Sequence, residues 1–200
     1  MTTQTTWNRL INDNRRFAAG NAEHPHQDRV TRESLVAGQH PKAAVLSCSD
    51  SRATPEIVFD QGLGDLFDIR TAGEVVDDAV LESLEYAVEH LHVRLIVVMG
   101  HEHCGAVAAA METLADGNDG ADDDSSRSML MRKVGASVRL AFADDSDATA
   151  DDVERVHVAR TIEEITNGST TIRDAVRSGE VAIVGARYRL GDGTVEVLPL

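Results

Sequence analysis

Positive charge is scarce in this 200-residue chain. Lysine occurs only as Lys42 and Lys133, and Lys plus Arg number 19 against 34 Asp plus Glu, a formal net charge of −15. Nucleic-acid phosphates and anionic lipid both attract basic patches, so the chain is expected to bind neither. Long hydrophobic runs are missing too. The longest are strand-sized, which excludes a membrane-spanning helix. The stretch from Met1 to Trp7 lacks the basic-then-apolar pattern of a secretory signal, so a cytoplasmic location is expected. Cysteine is reduced to Cys48 and Cys104. A disulfide between them is disfavoured in the cytoplasm. Their company of aspartate and histidine points instead to a metal or a reactive thiol.

What is present begins with a hydrophobic fraction of 42%. That marks a globular chain, expected as a single domain over 1–200 with an N-terminal helical arm over about 1–40. Abundant aspartate, with arginine in place of lysine, is what either a GC-rich genome or a salt-adapted acidic surface produces.

Apolar residues recur at helical spacing from Trp7 to Gly20, and a second short helix is expected from Arg29 to Ala37. Both precede the first core strand, so they are expected outside the core, on a partner subunit. Strands are expected at Ala43–Ser47, Leu66–Arg70, Arg94–Met99, Val181–Val184 and Val195–Leu198. The third is continuously apolar, as suits a parallel strand covered on both faces. Helices are expected at Asp77–Leu91, Cys104–Leu114, Met129–Phe142 and Val153–Ile165, with a short one ending at Gly179. The polar stretches Asp116–Ser128 and Asp144–Asp152 read as solvated loops, the second capping the helix after it. Leu190 to Thr194 reads as a hairpin turn. The result is an α/β fold: a mainly parallel β-sheet of four core strands plus an antiparallel edge strand, flanked by helices.

Each cysteine follows a strand. In open α/β sheets, sites form beyond the carboxyl ends of strands. If the first and third strands are neighbours, Cys48-Ser49-Asp50-Ser51-Arg52 faces His101-Glu102-His103-Cys104 across a crevice. Cys48, His101 and Cys104 then supply two thiolates and an imidazole, a donor set for one Zn2+ per chain. The spacing from His101 to Cys104 places both on one face of a helical turn. The fourth position falls to water or to Asp50. Asp50 is also two residues before Arg52, which can hold it bidentately. One carboxylate thus has two competing fates, and the metal site is open or closed accordingly. His90, His92 and His157 are expected in packing or surface roles.

Cys48-x-Asp50-x-Arg52 followed by His101-x-x-Cys104-Gly105 resembles the zinc signature of the β-class carbonic anhydrases of bacterial type. Asn12 to Phe17, Phe67-x-x-Arg70-Thr71-Ala72-Gly73, and Val184-Gly185-x-x-Tyr188 with its Gly-Asp-Gly turn resemble other segments of that family. The resemblance implies reversible hydration of carbon dioxide to bicarbonate and a proton by zinc-bound hydroxide, in a homodimer or homotetramer whose N-terminal helices embrace the partner. It implies catalytic roles for Asp50 and Arg52, anion binding at the backbone of Gly105, and a possible proton shuttle in His103. Gln61 stands one place early for the family's substrate glutamine. Val45 stands where some members place a tryptophan that joins Arg70 and Tyr188 in a second bicarbonate site. A carbonyl sulfide or carbon disulfide hydrolase on the same scaffold is the nearest alternative, and a non-catalytic structural zinc protein the next.

Overall fold

The computed structural model describes residues 3–115 and 128–199; apart from Ser128, the loop expected at Asp116–Ser128 lies outside them. Five strands form one sheet: β1 (Ala43–Cys48), β2 (Leu66–Thr71), β3 (Leu95–His101), β4 (Ala182–Tyr188) and β5 (Val195–Leu198), in the order β2-β1-β3-β4-β5. The first three pairings are parallel and β4–β5 is antiparallel. Every residue of β1 and β3 is buried, as their unbroken apolar runs require of strands covered on both faces. The architecture agrees with the α/β expectation.

Alternation along the strands sorts side chains to two layers. Ala44, Leu46, Ile96 and Val98 face α4 (Asp78–Glu89), α7 (Ala150–Gly168) and α8 (Thr170–Arg177), against Val80, Leu84, Val158, Ile165 and Ile172. Val45, Leu95, Val97 and Met99 face α1 (Thr3–Ala18) and the single turn α3 (Pro55–Val58), against Trp7, Leu10 and Val58. A third apolar cluster joins Cys48 and Cys104 to α5 (Gly105–Ala115) and α6 (Met129–Asp144) through Val107, Val134 and Val138.

Two expectations need correction. The first N-terminal helix is not free for a partner along its apolar face. Trp7 and Leu10 of α1 are buried on the chain's own sheet, and Asn14 accepts from Val195 N while donating to the carbonyls of Val58 and Gly193. By contrast, α2 (Arg29–Ser34) and the 3-10 turn Leu35–Ala37 have no fully buried residue. The start of α7 also moves, while its cap stays within the expected 144–152 loop. Thr149 and Asp152 form a capping box, so the helix begins at Ala150 rather than Val153, both orphan amides finding oxygens.

On β2, at the edge of the sheet, Asp68 Oδ1 is buried with no hydrogen-bond partner among the described residues. Burial, with the charge of Glu56, pushes this carboxyl from its ordinary 3.8 up to about 7. The folded state therefore holds the proton more tightly than the unfolded chain. The resulting stability is complete below the unfolded pKa and is lost as pH rises toward about 7. Asp68→Asn is expected to flatten this part of the fall, read from urea midpoints across that window; an unchanged slope would contradict it.

Candidate metal centre

The pairing of β1 with β3 sets Ser47 beside Met99, so their carboxyl ends open side by side. Cys48 and His101 are the last residues of their strands, not residues beyond them. His101 and Cys104 are joined by a turn instead of a helical face, with His103 at φ 53°. Cys104 directly precedes α5, its carbonyl accepting from Ala108 N at 3.0 Å.

The turn brings the expected donors together. One ligand atom from each of Cys48, His101 and Cys104 lies within 4.8 Å of the others, and all three residues are buried. Both cysteines are free thiols. His101 Nδ1 lies 2.8 Å from the carbonyl of Glu102, which can only accept, so Nδ1 carries the proton and Nε2 offers its lone pair. Nε2 has no hydrogen-bond partner among the described residues. A buried imidazole nitrogen without a partner, facing two thiols, is the fit expected of a metal-binding atom. The hydrogen bond from Cys104 brings the Cys48 thiol down, while the same bond and burial push Cys104 up. A metal held by both sulfurs takes them as thiolates and displaces the protons they carry.

Asp50 is taken by Arg52. Arg52 Nε donates to Oδ1 at 2.9 Å, Nη2 to Oδ2 at 2.7 Å, and the Arg52 amide to Oδ1 at 2.9 Å. Arg52 holds Asp50 well below the usual carboxylate range, so it stays ionised at neutral pH. Asp50 Oδ2 nonetheless lies 3.8 Å from His101 Nε2. Arg52 Nη2 also donates to the carbonyl of His103 at 3.2 Å, tying the two loops together. The side chain of Arg70, on β2, donates to the carbonyls of Cys48 and Asp50, fixing the first loop from below.

The remaining expected residues fall as follows. His103 is exposed. Gly105 opens α5 with nothing within 4 Å of where a Cβ would lie. Gln61 is buried, its amide donating to Asp13 and to the carbonyls of Phe59 and Asp60. Tyr188 is buried against Phe17.

Four residues near the centre carried no local signal of their role. Gly73 N donates to Cys48 Sγ at 3.2 Å from a left-handed φ of 61°, where a Cβ would meet Ala106 Cβ at 2.9 Å. Glu74 is buried with one oxygen unpartnered among the described residues, and burial pushes it up to about 8. Glu154 Oε1 accepts from Cys104 N at 3.2 Å. His157 Nε2 lies 2.6 Å from Gly73 O. Gly73 lay in a segment that resembles the family, and His157 was expected only in a packing or surface role.

Sulfur and nitrogen donors at the carboxyl edge of an open α/β sheet define a zinc-type metalloenzyme. Comparison with known proteins narrows this class. The family model for carbonic anhydrase matches residues 43–195. Carbonic anhydrase 2 of Mycobacterium tuberculosis is 44% identical over 187 residues, covering 94% of this chain and 88% of that protein. The carbonic anhydrase of Mycolicibacterium smegmatis is 43% identical over 198 residues, covering 96% and 91%. Among solved structures, a tetrameric β-carbonic anhydrase from the ascomycete Sordaria macrospora superposes with a TM-score of 0.70 at 25% identity, covering 98% of each chain. The chain belongs to the carbonic anhydrase family, in its β class. Its cofactor is zinc and its reaction the hydration of carbon dioxide. A carbonyl sulfide or carbon disulfide hydrolase, or a structural zinc protein, is not favoured. No helix among the described residues is long and apolar enough to cross a membrane.

Proposed function

We propose that Cys48, His101 and Cys104 hold one zinc ion per chain and that Asp50 and Arg52 orient the reacting water, with the fourth position open. The observation that carries this reading is the division of labour in the cluster. His101 Nε2 faces both thiols with no hydrogen-bond partner among the described residues, while both oxygens of Asp50 accept from Arg52. Zinc, when bound, lowers the pKa of water from 15.7 to about 7, which makes hydroxide available near neutrality.

The chain's own residues do the rest. Asp50, ionised and 3.8 Å from His101 Nε2, accepts a hydrogen bond from the attacking water and aims its lone pair at carbon dioxide. Arg52 holds that carboxylate in register by two parallel hydrogen bonds, a geometry lysine cannot copy. Backbone amides at the start of α5, around Gly105, fix the bicarbonate anion at a helix N-terminus. His103, exposed beside this rim, takes the departing proton.

The protein works as a homodimer or homotetramer. Support lies in α2 and the turn after it, which have no fully buried residue and leave Val30 and Val36 70% and 86% exposed. A cytoplasmic setting agrees with the two free thiols, and a charge of −15 supports the absence of nucleic-acid partners.

Zinc per chain and stopped-flow carbon dioxide hydration across pH test the reading together. One zinc per chain is expected, with a rate that rises with pH through an inflection near about 7. Stoichiometric zinc with no hydration at any pH would sink it. A far higher rate on carbonyl sulfide would move the assignment to the hydrolase.

A further inference from the structure

Two of the buried polar side chains of helix α7, Glu154 and His157, lie one turn apart, and each reaches a different loop of the metal centre. Residues three apart share a helix face, and α7 lies along β3 and β4, the strands beside that centre. Glu154 Oε1 accepts from the Cys104 amide at 3.2 Å. Its other oxygen is held by Arg187, an arginine only 1% exposed, from Nε at 2.8 Å and Nη2 at 2.7 Å. A carboxylate locked this way has little freedom to follow a moving loop.

His157 is the second tether. Nε2 lies 2.6 Å from the carbonyl oxygen of Gly73 and Nδ1 lies 2.8 Å from Ser137 Oγ. A carbonyl can only accept, so Nε2 carries the proton and Nδ1 accepts from the serine hydroxyl. Gly73 in turn donates its amide to Cys48 Sγ at 3.2 Å. It has no room to relax, since a Cβ there would meet Ala106 Cβ at 2.9 Å and Val134 Cγ2 at 3.3 Å.

We infer that Glu154 and His157 are positioning residues that set the placement of both thiolates from one rigid helix, Glu154 through the Cys104 amide and His157 through Gly73. The inference rests on Cys48 and Cys104 being the zinc ligands. Neither residue touches substrate. Their role is to hold two loops from separate strands at one fixed separation, so that the sulfurs meet a metal without first paying to order the chain. Outer partners of this kind change metal affinity by about 10- to 100-fold when lost.

The test uses His157→Asn and His157→Gln in the full-length protein. A glutamine amide reaches about where Nε2 lies and still donates to Gly73; an asparagine amide stops near Nδ1 and does not. Zinc affinity by chelator competition is expected to weaken about 10- to 100-fold in the asparagine variant and to recover most of that loss in the glutamine variant. The thiolate-to-cobalt charge-transfer band of the cobalt-substituted protein is expected to shift in the first and return in the second. Equal losses in both variants, or none in either, would overturn the inference, because a role in packing alone does not distinguish the two amides. Nitrogen NMR of His157 in the wild-type zinc protein needs no variant to fold and is expected to show the Nε2–H tautomer; the Nδ1–H tautomer would overturn it. A wild-type cobalt protein with no thiolate band would overturn the ligand assignment as well. A normal wild-type band that neither variant alters would overturn only this step.

Discussion

Cys104→Ser is expected to purify without stoichiometric zinc and to lose carbon dioxide hydration by on the order of a thousandfold or more, since unassisted water has a pKa of 15.7 instead of about 7. A serine hydroxyl is a poor replacement. It does not ionise near neutrality and lacks the soft character that zinc favours in sulfur. The site is also pre-shaped for a thiolate: Cys104 directly precedes α5, and its amide is fixed by Glu154. The fold should survive, because Cys104 lies beyond the strands and the apolar cluster around Val107, Val134 and Val138 remains. Elemental analysis, stopped-flow rates and circular dichroism of one preparation check this. Full zinc and a wild-type rate would remove Cys104 from the metal.

Arg52→Ala is expected to behave differently. Zinc should stay near one per chain, while hydration falls about a hundredfold or more, in the range that a misplaced proton-handling group costs. Three hydrogen bonds currently place Asp50, and two of them come from the guanidinium. Without these, the carboxylate is free to turn toward the metal and close the fourth position. Loss of Arg52 also removes the tie to the His103 carbonyl between the two loops. The sign of the pH effect follows. Arg52 depresses Asp50, so the ionised form is present above the depressed pKa and lost as pH falls through it. Removing the arginine raises that pKa, and the acid limb of the rate profile should move to higher pH. Arg52→Lys should restore only part of the rate, because an ammonium grips a carboxylate at one point. A rate within a few fold of wild type for Arg52→Ala would show that the pair is a surface ion pair, typically worth about 0–1 kcal/mol.

Much of this centre was legible in the sequence because the chemistry is concentrated in two short segments. Cys48, Asp50 and Arg52 sit within five residues, and His101 to Cys104 within four, each after an apolar run that reads as a buried strand. The pairing of β1 with β3 was the one topological condition, and their parallel register meets it. The Asp50 alternative could not be resolved from spacing, because both fates lie within reach of a residue two positions from each candidate partner. The bidentate contact with Arg52 decides the observed geometry.

The supporting groups were not legible, for a physical reason. Glu154 meets Cys104 across 50 positions and His157 meets Gly73 across 84. Nothing in the local pattern of α7 distinguishes a buried glutamate from a solvated one until the helix is laid on β3 and β4. Arg187 illustrates the same limit: it occupies a strand position among apolar residues and is fully enclosed by Glu154, Asp151 and their neighbours. The first N-terminal helix was placed outside the core, and it lies on the sheet. Its place before the first strand suggested a partner, yet Trp7 found Phe59 of its own chain at 6.2 Å.

The most direct test is zinc K-edge absorption on the purified protein. Two sulfur scatterers at about 2.3 Å, with the remaining scatterers nitrogen or oxygen at about 2.0–2.2 Å, are predicted. A zinc environment with one sulfur or none would contradict the assignment of Cys48 and Cys104, and with it the account of how this chain hydrates carbon dioxide.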